Sequence, residues 1–207
     1  MASTNFDALS VRLSRMIEDA VAAATTDGDR FTSAYRDLLL NSGSRKLLKR
    51  AVDEKNDDLL RAYTNIEAQS LASNVKTLAS WTGGVQAILS VYNATDETQV
   101  FPADPSMKEA IQNGHNKYLL ATATQQRYIL EAASFFLIGG TTTSSIRLTY
   151  VKAYTDLAAN DAGGAGDILI PSQYYEMVLD YALMVFCEEN PTNENIVRLQ
   201  QLKARYG

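Results

Sequence analysis

The spacing of apolar residues changes along the chain, and each change marks an element. Near the N-terminus Phe6, Leu9, Leu13, Met16, Ile17, Ala20, Val21 and Ala24 recur at intervals of three and four, the apolar stripe of an amphipathic helix. Thr4 and Asp7 give it a capping-box-like start, with the acid also favourable at the positive helix end. Thr25-Thr26-Asp27-Gly28 ends it. A second helix is predicted from near Asp29, with Phe31, Tyr35, Leu38 and Leu39 on one face. Asn41-Ser42-Gly43 reads as a break, after which Ser44 caps a continuation through Leu47, Leu48, Ala51 and Val52. The short connection predicts an antiparallel helical pair over residues 1–56.

Beyond it the period shortens. Leu59–Trp81 suits a strand through Leu60, Ala62, Thr64 and Ile66 or a helix through Leu59, Tyr63 and Ile66; extended structure is the expectation. Trp81 precedes the turn signal Thr82-Gly83-Gly84 and reads as a packing residue at a sheet edge. Val85, Ala87, Leu89 and Val91 alternate over a strand that feeds a polar turn at Asn93–Thr98. Phe101–Pro105 reads as irregular, and Pro105 opens a short helix closed by Gly114. Tyr118–Thr124, Arg127–Glu131 and Phe135–Ile138 read as strands, and Ile146, Leu148 and Tyr150 alternate with Arg147, Thr149 and Val151 in a last one. Residues 60–154 are thus mainly β, an antiparallel meander of about four or five strands. With helices grouped at both ends of the sequence, the fold class is α+β.

Glycines 163, 164 and 166 interrupt all regularity, and Pro171 suits the first turn of a new helix. That helix is placed over residues 169–189, and from Tyr174 to Phe186 it is apolar almost all round, broken only by Glu176 and Asp180. Such a helix must be covered on several sides, by a sheet, by other helices or by another copy. Tyr174, Tyr175, Val178, Tyr181, Ala182 and Val185 are its candidate core or subunit-packing residues. After Asn190-Pro191 a thin stripe of Ile196, Leu199, Leu202 and Tyr206 accompanies the basic Arg198, Lys203 and Arg205. These seven are the candidate docking residues of a tail, 191–207, attached to a single domain, 1–190, that is expected to fold without it.

Composition narrows the classes. At 207 residues, 46% hydrophobic and 21% charged, the chain has the make-up of a globular domain with a sizeable core. A net charge of −5 argues against a free-standing nucleic-acid binder. No apolar run reaches the roughly 18 residues of a membrane span, and MASTNFDALS lacks a signal-peptide pattern. The lone Cys187 reads as a small buried hydrophobe in a protein made in a reducing cytosol. Arg45–Arg50, RKLLKR, has a rationale as a phosphate contact, but Asp53, Glu54, Asp57 and Asp58 follow at once. A solvated face or a rim for a neighbouring subunit is the preferred reading.

Catalytic equipment is sparse. The one histidine, His115, sits in a loop-like Gly-His-Asn, without HExxH, GxSxG or P-loop spacing elsewhere. Asp156, Asp161 and Asp167 have the oxygen chemistry for calcium, though a mobile acidic loop is the preferred reading. No catalytic residue, cofactor or metal ligand is therefore expected. The chain reads as a non-enzymatic assembly component whose interfaces use tyrosine and arginine.

Four segments in order carry a family resemblance: VQAILSVYN (Val85–Asn93), QRYILEAASFFLIGG (Gln126–Gly140), IRLTY (Ile146–Tyr150), and YYEMVLDYAL (Tyr174–Leu183) opened by Ile170-Pro171. Their sequence resembles the head–tail adaptor (connector, head-completion) proteins of tailed bacteriophages, which have a strand at the first, a hairpin at the second, and then the final strand and a helix. The resemblance implies a ring, commonly of twelve copies, docked beneath the portal protein at the capsid vertex. Such a ring lengthens the channel through which genomic DNA passes and offers an attachment surface to tail or nozzle proteins. It also implies that the C-terminal segment Pro191–Gly207 reaches the portal and that the loop Asn93–Asn113 faces the tail. The location implied is the virion, after synthesis in the bacterial host cytoplasm, with no membrane partner. A ligand-binding or regulatory α+β domain, with a pocket between the sheet and Tyr174–Phe186, is the alternative.

Overall fold

A computed structural model describes residues 5–21, 32–104, 125–139, 144–157 and 168–206. Thr4, the helix expected from Pro105, His115, the strand expected at Tyr118–Thr124, and Asp161 and Asp167 fall outside these. The fold is α+β. The expected single domain is instead two compact units: Met1–Ala62 with Tyr154–Gly207, and Tyr63–Ala153. The segment expected to stand apart as a tail belongs to the first.

The first unit is helical. It comprises α1 (Asn5–Val21), α2 (Ser33–Glu54), the short α3 (Asp57–Leu60), α4 (Tyr175–Glu189) and α5 (Asn193–Tyr206). The α1 stripe behaves as its spacing predicts: Phe6, Leu9, Leu13 and Ile17 are buried. At its start, the Asn5 amide donates to the Ile168 carbonyl at 3.1 Å and accepts from the Ile168 N–H at 2.7 Å.

In α2 the structure corrects two expectations. The helix starts at Ser33, where the Thr32 hydroxyl accepts from the Tyr35 N–H at 3.3 Å, and it runs unbroken through Asn41-Ser42-Gly43. Leu38 is 52% exposed, and Leu40 joins Leu39 inside. Both follow from what α2 packs against. At Gly43 the backbone of α4 comes so close that a Cβ would lie 2.6 Å from the Val178 carbonyl oxygen and 2.7 Å from the Ala182 nitrogen. The glycine is thus a crossing point between helices. With α1, α2 and α5 all packed on it, α4 buries residues around nearly its whole circumference: Val178, Leu179, Asp180, Tyr181, Ala182, Leu183, Met184, Phe186 and Cys187.

The second unit is a curled, mixed sheet of seven strands, more than the four or five expected and not a simple antiparallel meander. Its strands are β1 (Thr64–Ser70), β2 (Val75–Thr77), β3 (Val85–Asn93), β4 (Thr98–Pro102), β5 (Arg127–Glu131), β6 (Ser134–Ile138) and β7 (Ser145–Lys152). Their order is β1-β7-β3-β4-β5-β6-β2, with β4 and β5 parallel and the other neighbours antiparallel. Beyond Leu59 and Leu60, which belong to α3, the stretch expected to be extended supplies β1 and β2, whereas β4 runs into residues that read as irregular, and all three have weak local signals. β1 is largely polar, β2 has three residues, and β4 ends on Pro102, a position where proline forfeits little ladder bonding.

The sheet curls around Leu71, Trp81, Val91, Val100, Phe135, Leu137, Ile146, Leu148 and Tyr150. Trp81 is therefore a core residue, not an edge residue, and meets the Tyr150 ring edge-on with centroids 6.1 Å apart. In β3 the simple alternation fails. Register shifts between Val85 and Ala87 and between Ile88 and Ser90 each insert one residue, so Val85, Ile88 and Val91 turn inward and Leu89 is left 46% exposed. The β5–β6 hairpin turns on Ala132 and Ala133, at φ 46° and 63°, the left-handed pair required by a tight two-residue turn but rarely built from alanine. Among the described residues no helix is long and apolar enough to cross a membrane.

The crossing at Gly43 makes a direct test. Gly43→Ala gains about 1 kcal/mol of helix propensity, yet its methyl meets main chain that cannot rotate away. Urea denaturation should show a net loss of about 1–3 kcal/mol, the usual range for overpacking. Unchanged or greater stability would mean that α2 and α4 lie further apart than described.

Candidate interaction surfaces

The first surface is the seam between α4 and α5. Asp180, which sequence reasoning set on a polar face with Glu176, is 6% exposed. The Tyr206 hydroxyl donates to its carboxylate at 2.5 Å and the Arg205 guanidinium at 2.9 Å. Burial first, and then this bond to a carboxylate, push the Tyr206 phenol up to about 12, so it remains a donor throughout the physiological range. Its ring lies 5.5 Å from that of Tyr181, whose hydroxyl accepts from Arg50 at 3.0 Å, and Arg50 also donates to the Tyr206 carbonyl. Glu188 binds Lys203 at 3.0 Å and Lys46 at 3.3 Å, and Arg198 donates to the Met16 carbonyl at 3.2 Å.

The candidate docking residues thus do more within the chain than their sequence pattern suggests. Arg198, Lys203 and Arg205 each have a partner in the first unit; Leu199, Leu202 and Tyr206 are half-buried; Ile196 is 43% exposed. Of the candidate packing residues, Val178, Tyr181 and Ala182 are buried, whereas Val185, expected to be buried, is half-buried like Tyr174 and Tyr175. The Tyr175 hydroxyl accepts from Asn5 at 2.9 Å. Cys187 is buried, and burial raises its thiol pKa.

The RKLLKR cluster is also taken up internally. Arg45 pairs with Asp156 and Lys46 with Glu188, while Arg50 pairs with Glu54 at 2.6 Å; Leu47 and Leu48 are buried. Of the acids close in sequence, Glu54 is the partner of Arg50, whereas Asp156 and Glu188 come from far along the chain. Asp156, one of the three aspartates with calcium chemistry, is engaged by Arg45. Among the described residues no group of three or more His, Cys, Asp or Glu is placed to hold a metal ion.

The second surface is the outer face of β1, β7, β3 and β4. A shallow depression of about 300 Å³ is lined there by Ile66, Ser90, Tyr92, Gln99, Arg147 and Thr149. The register explains the grouping. Ile66, Thr149 and Ser90 are neighbours across three strands, and Ala68, Arg147, Tyr92 and Gln99 form the next row. The Arg147 guanidinium lies 4.8 Å from the Tyr92 ring centre, and Arg127 lies 5.9 Å from that of Phe101. Ile66 is 64% exposed and Phe101 52%. Sequence reasoning missed this surface, because cross-strand neighbours are set by register and not by spacing along one strand.

Two polar clusters hold the ends of this sheet. Asn93, fully buried, offers its amide N–H groups to Gln126 at 2.7 Å, Asp96 at 2.9 Å and Ser144 at 3.2 Å, while its carbonyl accepts from the Thr95 N–H at 2.9 Å. The turn predicted at Asn93–Thr98 is thereby an Asx-type turn. At another point, the Glu67 carboxylate accepts from the Thr82 N–H at 2.9 Å, from Gln69 at 2.5 Å and from the Tyr150 hydroxyl at 2.9 Å.

No protein-family model matches the chain, and no curated protein matches it.

Two predictions follow from these clusters. The Thr82 backbone bond, then Gln69 and Tyr150, lower the Glu67 pKa from 4.5 to about 2 against the opposing effect of burial. A depressed carboxyl pKa gives stability that is complete above the unfolded value and is lost as pH falls through the folded one. Thermal melting of the full chain should therefore show a decline between about pH 4.5 and pH 2 that is shallower in Glu67→Gln; identical slopes would remove Glu67 as its source. At the α4–α5 seam, Tyr206→Phe keeps the ring and removes one donor from a buried carboxylate. It should cost about 1.5–3 kcal/mol in urea denaturation, the range for hydrogen bonds to charged groups, and a neutral result would mean that Asp180 finds a replacement donor.

Proposed function

We propose that the chain is a structural head–tail adaptor of a tailed bacteriophage, a ring subunit beneath the portal that extends the DNA channel and carries the tail attachment surface. The observation that supports this most is the agreement of order and element. Val85–Asn93 is strand β3, Gln126–Gly140 contains the β5–β6 hairpin, Ile146–Tyr150 lies in β7, and Tyr174–Leu183 opens α4. This is the succession of strand, hairpin, final strand and helix that the resemblance implied. The same segments are structurally central: β7 lies between β1 and β3, and α4 is packed by α1, α2 and α5.

In this reading the protein performs no chemistry and binds no cofactor. Its partners are the portal, tail or nozzle proteins and further copies of itself, and DNA passes without sequence-specific contact. The region assigned to the tail begins at the Asn93–Thr98 turn, which the half-buried Tyr92 and the exposed Phe101 flank, each with an arginine near its ring, a composition enriched at protein interfaces.

The test is a mass measurement of the purified full chain with and without the cognate portal, followed by imaging of particles that lack the protein. The expected result is a ring on the portal, commonly of twelve copies in the resembling family, and particles that lose DNA and fail to join tails. Particles that retain DNA and join tails normally would overturn the proposal.

A further inference from the structure

We propose that β1 is an interface strand, whose open edge pairs antiparallel with β1 of a second copy about a two-fold axis at Ile66. The inference concerns the second unit alone and does not rest on the adaptor reading.

The sheet has two edges, and they are finished differently. At β2 the edge is three residues long and turned in on itself. There the Val75 N–H donates to the Ala72 carbonyl at 3.1 Å, and the Thr77 carbonyl accepts from the Ser80 hydroxyl at 2.6 Å. β1 has seven residues and pairs with β7 in unbroken register. At its two ends the Lys152 N–H donates to the Tyr63 carbonyl at 2.8 Å and the Leu71 N–H to the Ser144 carbonyl at 2.9 Å. Main-chain direction alternates along an antiparallel strand, so the odd-numbered residues bond β7 and the even-numbered ones point away. Ile66, Ala68 and Ser70 thus turn both N–H and C=O to the open side, where none of these groups has a partner among the described residues. All three residues are exposed, Ile66 at 64%. Soluble sheets guard such an edge with lysine, proline, a bulge or a very short strand, and β1 has none of these. Its one charge, Glu67, lies on the other face and already accepts from Thr82, Gln69 and Tyr150.

The side chains select the occupant. A second β1 offers the same outward pattern, and the pair can centre on Ile66, Glu67 or Ala68. Centring on Glu67 sets that carboxylate against its own copy, and like charges directly opposite repel. Centring on Ala68 leaves Ile66 opposite Ser70. Centring on Ile66 packs the two exposed apolar side chains together and exchanges both main-chain bonds between them. It also faces Glu67 with the Asn65 amide of the second copy. That amide donates one N–H to the Tyr150 hydroxyl at 2.8 Å, which leaves its other N–H for the carboxylate. The strand therefore matches itself in shape and charge, and the contact closes at two copies.

The experiment uses the unmodified full chain alone, without portal. Light scattering should give the mass of two copies, falling to one on dilution from about 1 mM to about 1 μM. Hydrogen exchange at the Ile66 amide should slow as the pair forms, whereas the Glu67 amide, which faces β7, should exchange alike at both ends of the range. Ile66→Lys sets two cations across the axis and should weaken pairing about tenfold or more, because each substitution counts twice. Ile66→Pro should do the same, since the N–H it removes points away from β7. Leu89→Lys, at a residue 46% exposed elsewhere on the sheet, should leave the mass unchanged. A chain monomeric throughout the range overturns the proposal, as does any association that Ile66→Lys leaves intact or Leu89→Lys equally removes. Should neither Ile66 variant fold, the unmodified chain decides: an Ile66 amide whose exchange follows concentration supports the pair, and one that does not overturns it. Failure of the portal test leaves each of these outcomes unaffected.

Discussion

The helical unit depends on how closely two main chains approach at Gly43. With the Val178 carbonyl and the Ala182 nitrogen inside the space a Cβ would fill, α2 and α4 meet backbone to backbone. This fixes which side of each helix faces inward. It brings Leu39, Leu40, Leu47 and Leu48 inside, leaves Leu38 out, and buries α4 from Val178 through Met184 and again at Phe186 and Cys187. A glycine in mid-helix weakens the isolated helix by about 1 kcal/mol relative to alanine, and the close approach offsets this through contacts no larger residue permits. The uninterrupted course of α2 has the same origin, since tertiary packing outweighs a local tendency to break.

Polar groups then decide what apolar burial leaves open. Asp180 lies on a helix face that hydrophobicity alone would cover with another apolar surface. Its burial instead requires charged and hydroxyl partners, which α5 supplies through Arg205 and Tyr206. A buried carboxylate without such partners is costly, whereas a matched one fixes position and register. Asn93 has the corresponding role in the sheet, where one side chain ties the β3–β4 turn to Gln126 and Ser144. In both units the apolar residues drive burial and a few polar residues select the geometry.

The outer sheet face shows a different balance. Arg147 on Tyr92 and Arg127 on Phe101 place cations over rings, and among the described residues no acid lines the depression beside them. The helical seam uses its arginines and lysines internally, so the two units present different chemistry.

The sequence by itself determined the elements with strong local periodicity: α1, the apolar α4, the α5 stripe, β7, the β5–β6 strands and the Asn93 turn. It also determined the α+β class, because these follow from side-chain spacing and short-range hydrogen bonding. It did not determine β1, β2 and β4 securely, since short or polar strands are defined by what they pair with. Nor did it reveal the two bulges in β3, which moved Leu89 outward and Ile88 inward, because a bulge is a mismatch between two strands and neither one carries it alone. The packing of α5 was hidden for a related reason. Its thin stripe and basic residues were legible, but their partners Asp180, Glu188 and Met16 lie well back in the sequence, and only the folded chain brings opposite charges from such distances into contact.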